Sequence, residues 1–295
     1  MSLFSWSAAA FACVDGAELF AWDPNLDAPT WGRPLPRTAL AVAGGGTILA
    51  TLDDTGQLGF WNGRDGAAVG SASVAGGQLL AMAWGNACAI AAPDRVDLLD
   101  AKGQRSLAIA GATALRFSRD DTRLAVGLPD GRVTFLDVAS GAVLGSAQVE
   151  SSVAPVTALF ERAPGAEWLA TAGDSLHAIE PNRVRRVTGL GGPMLTAVAA
   201  NERGTLVALQ AGDDLAVVLA WPSRETAANL RYPERKVRGV ALGNGALWVG
   251  LDLGDGNKLD LESGSLFRTD PHPGRPMNRW LVATGHHPEV ARPAL

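Results

Sequence analysis

The sequence predicts a single all-β domain, residues 1–295, built from seven similar units, and three observations carry that prediction. Glycine and proline are frequent, at 35 and 17 of 295 residues, which suits a chain that turns often and would interrupt long helices. Short apolar runs end on turn residues throughout, and only residues 223–230 offer one or two turns of helix. A closing pair, an aromatic or aliphatic residue followed mostly by an acid or its amide, recurs at nearly constant spacing.

The clearest unit runs from Phe117 to Asp137. It reads as a strand to Phe117, a turn through Ser118–Asp121, a strand Arg123–Gly127, the pair Asp130-Gly131, and a strand Val133–Asp137. Asp-Gly between apolar runs is a strong hairpin signal, because the turn needs a positive φ that glycine adopts without strain. The closing pairs are Trp22-Asp23, Trp61-Asn62, Leu99-Asp100, Leu136-Asp137, Ile179-Glu180, Trp221-Pro222 and Leu261-Glu262. Their second residues are 39, 38, 37, 43, 42 and 40 positions apart. Innermost strands are expected to start at Thr38–Leu40, Leu79–Ala81, Thr113–Leu115, Val156–Leu159, Leu195–Val198 and Arg238–Val240.

These units resemble the repeats of the WD-repeat family, over nearly the whole chain. The resemblance implies an all-β, seven-bladed β-propeller with four-stranded antiparallel blades. It departs from the family in lacking the Gly-His pair at blade starts, and Trp-Asp occurs once, at Trp22-Asp23. Six inner strands against seven closing pairs leave one to find. Gly274-Arg275-Pro276 repeats Gly32-Arg33-Pro34 at a distance of 242 residues, about six periods. The segment Trp280–Thr284 is therefore expected to supply the missing inner strand. The ring would close by pairing of N- and C-terminal strands, in a blade made from residues 1–31 plus 277–285, with a tail at 286–295.

Chemistry is sparse. Four histidines, His177, His272, His286 and His287, show no zinc-ligand spacing with Cys13 or Cys88. Both cysteines sit in apolar runs and read as buried free thiols. Asp252, Asp255 and Asn257 read as a hairpin turn, since no further acid completes an oxygen cage. The glycine groups at 44–46 and 243–245 lead into strands, whereas a phosphate loop feeds a helix N-terminus. No cofactor, metal or catalytic residue is predicted.

The expected function is a non-catalytic interaction scaffold or adaptor. The alternative is a propeller that binds or hydrolyses a small ligand in its central channel. Net charge is −5, which disfavours nucleic acid as partner. No apolar run approaches the roughly 20 residues of a membrane helix, so a cytoplasmic monomer that binds another protein is expected. Arg33 and Arg37, Arg235, Lys236 and Arg238, and Arg275 and Arg279 precede or open the inner strands of three neighbouring blades in this scheme. They would form a basic arc on the face where chain enters those strands, suited to an acidic or phosphorylated segment. Trp31, in a proline-rich turn beside the arc, is a candidate exposed anchor. The other tryptophans in strands, including Trp61, Trp84, Trp168, Trp221 and Trp248, are expected in the core.

Overall fold

The computed structural model describes residues 2–6, 11–15, 17–22, 29–85, 87–149, 154–180, 183–189, 194–201, 203–243, 245–251, 256–269, 278–279 and 289–291. Its strands form seven antiparallel sheets. The first holds β1 (Ser2–Trp6), β2 (Phe11–Asp15), β3 (Glu18–Trp22) and β4 (Pro29–Pro34). The second holds β5 (Ala39–Gly45), β6 (Ile48–Asp53), β7 (Gln57–Asn62) and β8 (Ala68–Ser73). The third holds β9 (Leu79–Met82), β10 (Cys88–Ala92), β11 (Arg95–Asp100) and β12 (Gly103–Leu107). The fourth holds β13 (Ala114–Phe117), β14 (Arg123–Gly127), β15 (Arg132–Asp137) and β16 (Val143–Gln148). The fifth holds β17 (Val156–Glu161), β18 (Trp168–Ala172), β19 (Ser175–Glu180) and β20 (Arg183–Gly189). The sixth holds β21 (Leu195–Ala200), β22 (Leu206–Ala211), β23 (Leu215–Ala220) and β24 (Thr226–Arg231). The seventh holds β25 (Val237–Gly243), β26 (Ala246–Leu251), β27 (Gly256–Asp260) and β28 (Leu266–Thr269). Two short strands, β29 (Asn278–Arg279) and β30 (Glu289–Ala291), pair with the outer edges of β28 and β24.

The first strands β1, β5, β9, β13, β17, β21 and β25 lie side by side in that order, and β25 returns to β1. Each sheet therefore stands radially and buries both faces against its neighbours, which is why the middle strands are nearly all apolar. Alternate residues serve alternate interfaces. Leu49 packs with Val14, Leu19 and Trp31 of the first sheet. Leu52 and Leu58 pack with Met82 and Ile90 of the third. The same pattern repeats between the later pairs of sheets.

The expected fold class is corrected in its closure and in the make-up of its sheets. The N-terminal residues supply their own first strand, β1, and among the described residues they complete a four-stranded sheet that no C-terminal strand joins. The described C-terminal strands instead add a fifth strand to the sixth and seventh sheets, so the sheets are not uniformly four-stranded. The physical reason is that Ser2–Trp6 reaches Phe11–Asp15 through a short hairpin, which costs far less chain entropy than recruiting a segment from the far end. Trp280–Thr284 lies outside the described residues.

Two closing pairs also move. In the sixth and seventh sheets the positions equivalent to Leu136-Asp137 are Leu219-Ala220 and Leu259-Asp260, at the ends of β23 and β27. Trp221 and Leu261 follow in the turn. The acid of the pair holds the turn that follows it. Asp137 Oδ1 accepts from the Ser140 amide at 2.7 Å and hydroxyl at 2.6 Å, and Asp260 Oδ1 does the same with Ser263. Such caps close the hairpin into the fourth strand. The segment 223–230, expected as one or two helical turns, instead runs from a turn into β24. Among the described residues no helix is long and apolar enough to cross a membrane.

Polar ties stitch neighbouring sheets. Arg105 donates to the Val138 and Ala139 carbonyls, both at 2.7 Å. Arg119 Nη2 donates to Arg162 O of the fifth sheet at 3.1 Å and Asn201 O of the sixth at 3.0 Å. Gln210 Nε2 donates to Val237 O at 2.8 Å.

Candidate partner-binding face

In an antiparallel meander the start of the third strand and the end of the fourth fall on one edge of the sheet. The hairpins between second and third strands therefore share a face with the connections that enter each next inner strand. This loop-entry face is where the sequence predicts the basic arc. Its loops are tied by backbone bonds: Leu35 N to Ala17 O at 2.7 Å, Val74 N to Gly56 O at 2.8 Å and Val149 N to Gly131 O at 3.0 Å. Side chains on such loops are pre-organised.

Arg37 is exposed in the connection to β5. Burial raises the Asp53 carboxyl, but bonds from Thr55 and Gln57 outweigh it and the Arg37 charge adds to them, so Asp53 stays below the usual carboxylate range. Lys236 is exposed and pairs with Asp213 at 3.3 Å. Arg235 is half-buried, and Arg238 is exposed at the second position of β25, where the register slips.

The remaining predicted residues stand elsewhere. Arg33 lies in β4 and reaches the hairpin of the second sheet, donating to Asp65 O at 3.0 Å and Gly66 O at 3.3 Å. Arg279 is in β29 on the outer edge of the seventh sheet, away from any inner strand. Arg275 lies outside the described residues. Trp31 is 6% exposed, and its indole N–H donates to Gly63 O at 2.8 Å. It is a wedge between the first two sheets, so the exposed-anchor expectation is corrected: the apolar ring gains more from burial against Leu49 than from solvent.

The face is also less basic than the arginines alone suggest. The hairpins place Asp53, Asp94, Asp130, Asp174, Asp213 and Asp214 on it. Several are paired there, Arg95 with Asp94 at 3.1 Å and Arg231 with Asp214 at 3.6 Å. Of the predicted residues, Arg37, Lys236 and Arg238 stand exposed on this face, on either side of the first sheet.

Sequence reasoning missed one surface feature. Trp84, expected in the core, is 49% exposed in the turn after β9, on the face opposite the arc. Its amide and that of Gly85 donate to the two carboxylate oxygens of Asp121 in the fourth sheet, at 2.8 and 2.6 Å. Asp121 adopts a positive φ of 60° to reach them. The Gly85-Asn86 pair following Trp84 was the available signal for a turn. Trp168 and Trp248 are buried as expected, while Trp61 and Trp221 are half-buried. Among the described residues no three His, Cys, Asp or Glu side chains converge as a metal site.

Neither a protein-family model nor a curated protein matches the chain. Solved structures do. One is the β-propeller domain of Myceliophteria thermophila Cps50 (Swd1), with a TM-score of 0.68 at 15% identity, covering 82% of this chain and 90% of that one. The fold is a β-propeller. A chain of a mitotic checkpoint complex is similar, with a TM-score of 0.71 at 14% identity and coverage of 85% and 86%. At these identities the likeness is one of fold.

Proposed function

We propose that this propeller is a non-catalytic interaction platform that takes an acidic segment of a partner protein on its loop-entry face. The observation that carries the reading is the exposed trio of Arg37 and Lys236, on tied connections, and Arg238, at the start of β25, on either side of the first sheet. Arginine forks suit carboxylates, and pre-organised loops lower the entropy cost of capture. The two similar propellers support it, one being a domain of Cps50 (Swd1) and the other a chain of a checkpoint complex.

The test replaces Arg37, Lys236 and Arg238 together by Glu and repeats affinity capture from the native host. The expected result is loss of captured partner at an unchanged melting temperature. Undiminished capture by a folded triple variant would overturn the reading.

A further inference from the structure

The third strand of each sheet has a position, two residues before its closing residue, that faces the preceding sheet. The register places Phe20, Asp97, Thr134, His177, Val217 and Asn257 there in six sheets. In the second sheet it is Gly59, which stands between Thr51 of β6 and Ser71 of β8. Because Gly59 has no side chain, a half-open cleft of about 510 Å³ remains between this sheet and the Leu35–Arg37 connection. That lies within the roughly 300–1,000 Å³ usual for ligand sites.

The cleft has an apolar base and polar lips. Trp61 forms the base, its indole N–H donating to Thr51 Oγ1 at 3.0 Å, which leaves the ring itself as the contact surface. A Cβ at Gly59 would stand 3.0 Å from Trp61 Nε1, so even alanine would crowd the ring. Arg37 stands at one lip, and among the described residues no carboxylate or carbonyl binds its guanidinium. Asp53 Oδ1 at the same lip is occupied by the Thr55 amide and hydroxyl and the Gln57 amide, at 2.9, 2.7 and 2.9 Å. The lip thus has a cation with no direct hydrogen-bond partner among the described residues, beside an acid whose Oδ1 is held by its own turn and whose charge that cation helps to stabilise.

We infer that this cleft is the anchor subsite for the partner segment: an aromatic or branched apolar side chain enters against Trp61, and an adjacent acid meets Arg37. The inference rests on the reading that the loop-entry face takes a partner. A basic neighbour is disfavoured because the nearest cation would repel it. A lone acid without an apolar companion leaves the Trp61 surface unused.

The probe is the capped dipeptide acetyl-phenylalanyl-glutamyl amide, titrated calorimetrically into the intact protein. The alanyl-glutamyl and phenylalanyl-lysyl analogues should bind at least about tenfold more weakly. Ser71→Trp fills the cleft from the exposed strand β8 and should abolish binding, whereas Ser71→Thr should retain it. Arg37→Glu should weaken the acidic probe about tenfold or more and serves as the second variant if Ser71→Trp fails to fold. Equal binding of the lysyl probe, binding that survives Ser71→Trp, or no binding of any probe would overturn the inference. Free 3-phenylpropionate binding as tightly as the dipeptide would also overturn it, in favour of a small-acid site. Partner capture separates the two levels. Capture that survives Ser71→Trp but not the triple charge reversal removes the cleft and leaves the face; capture that survives both removes the face as well.

Discussion

Glu161 is the side chain whose loss should hurt the ring most directly. It is 1% exposed at the end of β17, yet it serves the fourth sheet. One oxygen accepts the Arg119 amide at 2.5 Å, and the other accepts Arg123 Nη2 at 3.0 Å and the Gly165 amide at 3.2 Å. Hydrogen bonds to a charged group contribute about 1.5–3 kcal/mol each. Arg123 keeps 34% of its side chain in solvent, so the low end applies, giving about 3 kcal/mol for the two stronger bonds. With about 2.1 cal/mol/K of unfolding entropy per residue, 295 residues give about 0.6 kcal/mol/K. Glu161→Ala should then lower Tm by about 5 °C. Glu161→Gln keeps the volume but turns an amide N–H toward existing donors, and should lose about 2 kcal/mol. Calorimetry or circular dichroism melts measure both. A drop of less than about 1 °C for Glu161→Ala would refute the idea that this carboxylate joins the two sheets.

Three further outcomes follow from the geometry. Gly45→Ala should cost about 3 kcal/mol or more in a denaturant titration, because its Cβ would lie 2.0 Å from the Ala83 carbonyl oxygen of the third sheet and backbone would have to move. Bonds from Ser140 hold the Asp137 carboxyl below its usual value, and bonds from Ser263 do the same for Asp260. A depressed carboxyl stabilises the fold above its unfolded value and loses that contribution as pH falls through the folded one. Thermal stability should therefore drop below about pH 4, and the double variant Asp137→Ala, Asp260→Ala should flatten that drop. Burial pushes the Cys88 thiol up to about 12, so it should stay silent to a disulfide-exchange reagent at pH 8 and react only as denaturant unfolds the chain.

The periodic part of this fold was legible because each repeat carries local chemistry with a local reason. Asn62, Asp100, Asp137 and Asp260 each cap the turn that follows, which needs a short side-chain acceptor, and Asp130-Gly131 must turn where it does, with Gly131 at a φ of 80°. Legibility failed where one of those reasons is missing. Ala220 replaces the capping acid in the sixth sheet, so the nearby Trp221-Pro222 drew attention two residues late. Leu261-Glu262 mimics Leu259-Asp260 at the same offset. Strand β1 has no such marker, whereas Gly274-Arg275-Pro276 copies an earlier segment closely enough to suggest a partner for the first sheet.

The two misplaced tryptophans have a common cause. A proline-rich flank says that chain bends near Trp31, not which side of the bend meets a neighbouring sheet. Trp84 sits in an apolar run whose last turn happens to be at the surface, where Asp121 of the next sheet grips its backbone. The cleft was the least legible feature, because a missing side chain at Gly59 stands out only once register aligns it with six occupied positions.

The self-sufficiency of the first sheet bears on how the molecule is made. A propeller whose opening wedge waits for its own tail would leave three strands with a bare inner edge until synthesis ends. Here all four strands of that wedge are present once Pro34 has emerged, and each later wedge can settle on its predecessor as it leaves the ribosome. Ring closure is then the meeting of two wedges, β25 against β1, and among the described residues no strand spans that joint. That joint is where the torus should part first under load.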